Sequence, residues 1–355
     1  MPEVDDSKSV NVKASESELD YLQRQQSPEF WQLKSKLEAA GIDTSELSIK
    51  PLYRDSRHLD PYEKSPFFNV FHIPTFDQKT RSLRSVPFWE ELRKLADQTG
   101  YWPVINNSRE LFWEPPYDER AYALWDPYDK ESDHPPYEPR EIQIEKFQNA
   151  IRQAEQLNVD QWFRERLAEE MKAMGVPISD LVSDWRKDAS EIAPWFLSLA
   201  GMPSSSDWFK KWQTEQDREL WDLSIESWPQ DVKAATDIST IGVCIDLVPT
   251  KFSWQIPGFS QFPPGNNYWG GAQDVHMAIL KRWYTDYGAE LVVSSGATYE
   301  LQVSNPPTSK EAAMKLAVEH YLYCPDCVEQ SSAPNTIKYR AAKLLNGRTW
   351  YFWWD

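Results

Sequence analysis

The chain has 355 residues, including 18 Trp, 16 Tyr and 15 Phe, and is therefore long enough for two domains and a large buried core. Its net charge of −17 repels phosphate backbones and anionic lipids, so we expect neither nucleic acid nor a membrane as a partner. The three cysteines, an odd number, do not make a disulfide framework.

The composition changes along the chain and suggests three segments. We expect a disordered acidic tail over residues 1–26, a mostly helical N-terminal region over 27–235 and an α+β domain over 236–355. The N-terminus lacks the basic and apolar parts of a signal peptide, and no stretch approaches 18 consecutive apolar residues. We therefore expect a cytosolic protein.

Apolar spacing in the N-terminal region predicts several helices and little sheet. A short helix over residues 28–40 ends at Gly41, and another, over about 87–98, ends at Gly100. Short strands are predicted at 67–71 and 101–105. Further helices are predicted around 144–154 and 162–174, and from Asp207.

The C-terminal domain alternates strands with helices. A nearly continuous apolar run over residues 241–248 is typical of a central strand. A helix over 272–287 and two strands, 290–294 and 298–303, follow. A capping box of Thr308 and Glu311 opens a second helix, which Pro325 stops. A third helix over 337–345 leads into the terminal aromatic strand.

The order β-α-β-β-α-(α)-β is that of a ferredoxin-like, split β-α-β sheet. We therefore predict the strand order 4-1-3-2, with both main helices on one face. The last strand is then an edge strand with aromatic side chains on both faces: Trp350, Phe352 and Trp354 on one, Tyr351 and Trp353 on the other. Since helices cover only one face, we expect the N-terminal region, or alternatively a partner, to cover the second.

An ordered series of short motifs runs through the last 115 or so residues. These motifs are Tyr268-Trp269-Gly270-Gly271, Leu280 with Trp283, Tyr287-Gly288-Ala289-Glu290, Pro306-Pro307-Thr308, Glu311-Ala312 with Ala317, Glu319 before Tyr323-Cys324-Pro325-Asp326, and Phe352-Trp353-Trp354-Asp355. The series resembles the bacterial family known as domain of unknown function 4253. The rest of the chain matches only loosely, through residues 99–103. The family's members are small cytosolic proteins without an assigned reaction, so the resemblance implies a fold segment and candidate positions, and no activity.

Aromatic residues provide the first candidate site. The predicted loop over residues 249–271 contains Trp254, Tyr268 and Trp269, and Trp283 lies on the helix that follows. A loop this long within a compact domain is usually functional or disordered, and its aromatic content argues against disorder. It either walls a pocket, presents an interface or packs onto the N-terminal half.

Four polar residues near or within the motifs, together with the side chain or terminal carboxylate of Asp355, are the second candidate. The four are His276, Glu290, Glu319 and Asp326. A histidine and carboxylates that converge can perform general acid/base chemistry, because burial tunes their pKa values toward neutral pH. The alternative is structural, with His276 flanking an apolar helix stripe and Glu319 satisfying a buried backbone group or Arg282.

The spacing His320-x3-Cys324-x2-Cys327 has ligand types suited to zinc, but a structural zinc site has four ligands, and Cys244 or His276 would have to supply the fourth. The two cysteines alone could act as a redox pair, although the strand that precedes a thioredoxin motif is missing. His320 lies on an apolar stripe, as a core histidine does. We predict no metal and no cofactor.

Charge is unevenly distributed along the chain. Residues 236–355 hold 9 basic and 11 acidic residues, whereas the first 235 hold 29 basic and 44 acidic, a net charge of −15. The chain has no Gly-rich phosphate loop, G-x-S-x-G elbow or H-E-x-x-H motif. We predict an immunity- or inhibitor-type binding protein that docks a basic protein, such as a toxin or nuclease domain. The alternatives are an enzyme of unassigned reaction that uses the His and carboxylate residues of the C-terminal domain, and a purely structural role for that domain.

Overall fold

The computed structural model describes residues 28–45, 47–52, 68–74, 76–77, 82–83, 85–106, 140–173, 219–223, 225, 227–239, 244–259, 264–265, 272–295, 297–331 and 334–355. The predicted tail, the helix predicted from Asp207, and the candidates Tyr268 and Trp269 lie outside these residues. Within the described part of the chain, no helix has both the length and the apolar character needed to cross a bilayer.

Nine α-helices and a seven-residue 3₁₀ helix can be assigned among the described residues. The α-helices are α1 (Pro28–Ala39), α2 (Ser85–Lys94), α3 (Ala96–Thr99), α4 (Arg140–Gln156), α5 (Val159–Ala173), α6 (Gln273–Tyr287), α7 (Lys310–Tyr323), α8 (Asp326–Glu329) and α9 (Ile337–Leu344). The 3₁₀ helix spans Ser253–Phe259. Gly288 ends α6 in the left-handed conformation (φ +60°), which explains why a glycine stands at that C-cap.

The described strands form one large sheet and one small hairpin. They are β1 (Ser48–Leu52), β2 (Phe68–Pro74), β3 (Phe76–Asp77), β4 (Ser82–Leu83), β5 (Trp102–Asn106), β6 (Cys244–Val248), β7 (Ala289–Ser295), β8 (Thr298–Val303) and β9 (Thr349–Trp353). The large sheet has the order β1-β2-β6-β5-β7-β8-β9, and β3 pairs with β4. Its neighbours are antiparallel except for β5 and β7, which are parallel.

Both faces of the large sheet are covered at its centre. One face carries Trp102, Val248 and Leu301, which pack with α4, α5, α6 and α7 into the larger core. The other carries Ile105 and Ile245, which pack with α1 and α2 into a second core. Because its central strands are apolar on both sides, β6 is buried along its whole length.

The α+β class is confirmed, but the predicted strand order 4-1-3-2 is not the one observed. The predicted order places β6 between β9 and β8, whereas both edges of β6 pair with strands of the N-terminal region, β2 and β5. β9 then pairs with β8, at the far end of the sheet. The predicted capping box is shifted by one residue, since Ser309 caps α7 by accepting from the backbone N–H of Ala312.

The last strand is an edge strand, as predicted, and two of its outward-facing carbonyls accept hydrogen bonds from side chains. The guanidinium of Arg340 donates to the carbonyl of Tyr351 over 2.8 Å. The thiol of Cys324 donates to the carbonyl of Trp353 over 3.0 Å. An edge with its carbonyls engaged in this way is a poor template for pairing with another strand.

The two faces of β9 differ in burial. Trp350, Phe352 and Trp354 are buried against α6 and α7. On the opposite face Tyr351 remains 40% exposed and Trp353 is half-buried. The N-terminal region therefore covers the second face at the centre of the sheet, and leaves Tyr351 exposed at the edge.

We predict that Phe352→Ala lowers the free energy of unfolding by about 3–5 kcal/mol, because it empties a fully buried site against the ring of Trp283. Tyr351→Ala, on the next residue of the same strand, is the control and should cost less than about 1.5 kcal/mol. Urea unfolding followed by tryptophan fluorescence measures both. Equal losses would show that β9 does not close the core.

Candidate functional site

Aromatic side chains from α6, α7, β8 and β9 pack into one continuous cluster under the C-terminal end of the sheet. The ring of Trp283 stacks on that of Phe352, with centroids 5.4 Å apart and planes 8° apart. Tyr323 meets both rings edge-on, at 5.2 and 5.3 Å. This aromatic cluster consists of Trp283, Tyr299, Tyr323, Trp350, Phe352 and Trp354, with His276 and His320 between them.

His276 is completely buried in the aromatic cluster, and both of its ring nitrogens are engaged. Nε2 lies 2.7 Å from the carbonyl oxygen of Pro264 and Nδ1 lies 2.5 Å from the hydroxyl of Tyr323. Because a carbonyl only accepts, Nε2 carries the proton and the Tyr323 hydroxyl donates to Nδ1. Burial lowers the pKa of His276 to about 3, so the ring is neutral at physiological pH.

Glu319 connects α7 to α6 from a buried position. One carboxylate oxygen accepts from Arg282 over 3.0 Å and the other from the indole N–H of Trp283 over 3.1 Å. Burial raises the pKa of Glu319, and the charge of Arg282 opposes that shift. Arg282 also pairs with Asp160 of α5 at 2.5 Å. The structural role that sequence reasoning left open for Glu319, satisfying Arg282, is therefore confirmed.

Glu290 lies on β7 and binds the guanidinium of Arg93 through both oxygens, at 2.5 and 2.9 Å. Arg93 in turn lies over the ring of Trp102, 4.1 Å from its centroid. Paired and stacked arginines of this kind fix the position of one element on another. Glu290 thus attaches α2 to the sheet.

Asp326 holds the end of the chain in place. One of its oxygens accepts from the backbone N–H of Asp355 over 3.0 Å, and the other accepts from Gln330 over 2.7 Å. The side chain is almost completely buried. A carboxylate with both oxygens engaged in this way anchors α8 to the residues that follow β9.

Part of the predicted loop 249–271 is packed against the N-terminal helices. Trp254 lies in the 3₁₀ helix, where its ring is buried and the ammonium of Lys281 lies 5.0 Å from its centroid. In the same helix Phe259 packs on Phe147 of α4, with centroids 4.5 Å apart. This part of the loop therefore packs onto the N-terminal half, which is one of the three arrangements considered from the sequence.

The four polar candidates are held by four separate sets of contacts. Among the described residues, the path from His276 to Glu319 runs through the rings of Tyr323 and Trp283. The bonds of Glu290 lead instead to α2, and those of Asp326 lead to the chain end. The bonds described here do not join these residues into one acid/base group.

A cavity of about 400 Å³ lies on the other side of β8 and β9 from the aromatic cluster. Its walls come from the segment 235–239, β8, α8, α9 and β9. Of the binding candidates that the structure describes, Asp326 alone lines it. The lining residues are Ala235, Asp237, Ser239, Glu300, Asp326, Cys327, Gln330, Ser331, Arg340, Lys343, Leu344, Thr349, Tyr351 and Trp353.

The cavity contains charges of both signs. Glu300 is buried and accepts from the backbone N–H and the hydroxyl of Ser239, at 2.8 and 2.9 Å. Arg340 and Lys343, one turn apart on α9, supply two cations. Burial and the neighbouring charge of Arg340 lower the pKa of Lys343. A cavity with these groups is suited to polar, charged ligands.

The residues with zinc-like spacing have other contacts in the structure. Arg340 donates to Nδ1 of His320 over 3.0 Å, while the ring of His320 packs against Trp350 at 4.8 Å. The thiols of Cys324 and Cys327 donate to backbone carbonyls. Within the described ranges, no group of three or more His, Cys, Asp or Glu residues is placed to hold a metal ion.

Sequence reasoning missed three residues that organise this region. Tyr323 lies in one of the quoted motifs and was a visible signal, although its bond to His276 was not foreseen. Arg93 had no such signal, because Glu290 lies 197 residues further along the chain. Arg340 lies outside the quoted motifs, although its partner Tyr351 is only 11 residues away.

The comparisons support the family resemblance of the C-terminal region. Residues 244–355 match the model of a family described as a domain of unknown function (DUF4253). The match begins at the first residue of β6 and includes the whole aromatic cluster and most of the cavity lining. No curated protein matches the chain, and no solved structure matches it.

The depressed pKa of His276 predicts that the free energy of unfolding decreases as the pH is lowered below about 6.5. The unfolded chain takes up a proton near pH 6.5, while folded His276, with a pKa of about 3, does not. Its contribution to stability is therefore complete above pH 6.5 and is lost as the pH falls toward 3. The loss between pH 6.5 and 5 is about 1.5 kcal/mol.

Urea unfolding of wild type and His276→Phe at several pH values between 5 and 7.5 measures this contribution. Burial also lowers the pKa of His320, which therefore contributes to the pH dependence of stability in the same direction. His320→Phe is the matched variant. His276→Phe should flatten the pH dependence by about 1.5 kcal/mol between pH 6.5 and 5, and His320→Phe should flatten it in the same direction. An unchanged pH dependence in His276→Phe would contradict a neutral, buried His276.

Proposed function

We propose that this protein is a cytosolic binding protein and that its partner is a basic protein. The observation that carries the proposal is the uneven charge, a net −15 over the first 235 residues against −2 over the rest. A strongly acidic surface attracts a basic partner over a distance and raises the rate of productive encounters. Inhibitors of immunity type work in this way when they block a toxin or nuclease domain whose nucleic-acid-binding surface is basic.

The exposed aromatic residues of the N-terminal region supply a contact point for such a partner. Trp31, on α1, is 53% exposed and packs edge-on against the buried ring of Phe30. Lys34 lies 5.6 Å from the centroid of the Trp31 ring. Tryptophan is enriched among the residues that contribute most to binding free energy, because its side chain buries a large area and has few rotatable bonds. We assign Trp31 as the anchor.

The alternative, an enzyme that uses His276 with Glu290, Glu319 or Asp326, has less support. Both nitrogens of His276 are engaged, and its depressed pKa makes it a weak base. Glu290 and Glu319 are each bound by an arginine. These contacts support a structural role for the set.

The test is affinity capture with the full-length protein as bait, followed by titration with the purified partner. We expect a basic protein to bind at about 50 mM salt and to be released at about 500 mM, because surface charges are then screened over a few ångströms. Trp31→Ala should weaken binding by about 2 kcal/mol without changing the urea midpoint. Phe252→Ala, which removes a 43% exposed ring outside α1, is the matched control.

Two results would count against the proposal. One is the failure of any basic protein to bind in a salt-dependent manner. The other is a captured partner whose affinity is the same at both salt concentrations. Equal effects of Trp31→Ala and Phe252→Ala on the affinity would exclude α1 as the contact point. They would not contradict the proposal that a basic partner binds the acidic region.

A further inference from the structure

The two cysteines at the junction of α7 and α8 are close enough to form a disulfide. Cys324 follows the last residue of α7, Cys327 lies in α8, and the backbone N–H of Cys327 donates to the carbonyl of Cys324 over 3.2 Å. A turn closed by such a bond brings its end Cα atoms within about 7 Å, and disulfides join Cα atoms about 4.4–6.8 Å apart.

The cysteines differ in their access to solvent. Cys327 is 9% exposed and lines the cavity, whereas Cys324 is fully buried behind it. A small reagent that enters the cavity therefore meets Cys327 before Cys324. Cys324 is then positioned to act as the second, resolving thiol.

The charges around the pair favour the same order of reaction. Burial raises the pKa of Cys327, but the neighbouring Cys324 thiol and the positive charge of Arg340 outweigh it, so the pKa lies below that of a free thiol. Burial raises the pKa of Cys324. Because the thiolate is the nucleophile, this asymmetry makes Cys327 the attacking group.

We propose that Cys324 and Cys327 form a redox-active dithiol site that opens into the cavity and reacts with small-molecule disulfides. The Cys327 thiolate attacks one sulfur of the small disulfide, forms a mixed disulfide and releases the first small thiolate, which takes up a proton. The Cys324 thiol gives up its proton and attacks the sulfur of Cys327, which closes the protein disulfide and releases the second small thiol. Two protein thiols are oxidised while one small disulfide is reduced to two thiols.

Oxidation also removes a contact at the end of β9. In the reduced protein the Cys324 thiol donates to the carbonyl of Trp353 over 3.0 Å, and a disulfide has no proton to donate. The edge of β9 therefore loses one of its backbone contacts when the pair closes. This links the redox state of the site to the wall of the cavity, which includes Trp353.

The experiment is an equilibration of the folded, full-length protein with mixtures of 2-hydroxyethyl disulfide and 2-mercaptoethanol. After an acid quench, remaining thiols are alkylated in denaturant and the protein is digested with trypsin. Cleavage after Lys315 and Lys338 yields one peptide, 316–338, that holds both cysteines, and the peptide 234–251 holds Cys244. Mass spectrometry then counts alkylated, mixed-disulfide and internally bonded forms.

We expect peptide 316–338 to change from doubly alkylated to an unalkylated form lacking two hydrogens as the disulfide-to-thiol ratio rises. Cys244, buried on β6, is the internal control and should stay alkylated. Cys324→Ser should stop at the mixed disulfide on Cys327, and Cys327→Ser should leave Cys324 reduced. Overturning results are wild-type peptide 316–338 that remains fully alkylated at every ratio, or oxidation that stops at a mixed disulfide. Reaction of Cys244 as fast as Cys327 would likewise overturn the proposal.

Discussion

The stacking of Trp283 on Phe352 is the contact on which the C-terminal half of this protein depends. It joins α6 to the final strand with both rings fully buried, and the rings of Tyr323 and Trp350 pack around it. Each large ring removed from water contributes a few kcal/mol, so the last five residues stabilise much of the domain. The fold is therefore completed only when its C-terminal strand is in place.

The low dielectric of that aromatic core determines the state of the polar groups within it. His276 is neutral because a charged imidazolium would lose its hydration there, and Glu319 requires Arg282 and the indole of Trp283 as partners. The opposite side of the same strands carries a cavity lined by charged and polar groups. Groups available for binding or redox chemistry, such as Arg340 and Cys327, therefore lie on the cavity side rather than among the buried candidates.

Much of the local structure was predictable because it depends on short-range patterns. The alternation over residues 298–303 predicted β8 to the residue, and Gly288 marked the end of α6. The strand order was not predictable, because β5 enters the sheet through pairing with strands more than a hundred residues away. For the same reason the sequence identified Glu290 but gave no sign of Arg93, and it could not show whether the polar candidates converge.

The most direct test of this account is native-state hydrogen exchange at the backbone amides of Trp350 and Phe352. These residues pair with Leu301 and Tyr299 of β8, within five residues of the chain terminus. If the aromatic cluster makes β9 part of the cooperative core, both amides exchange only through global unfolding, with the free energy obtained from urea. Exchange several kcal/mol easier than global unfolding, as in a frayed terminus, would contradict the claim that the last strand completes the fold.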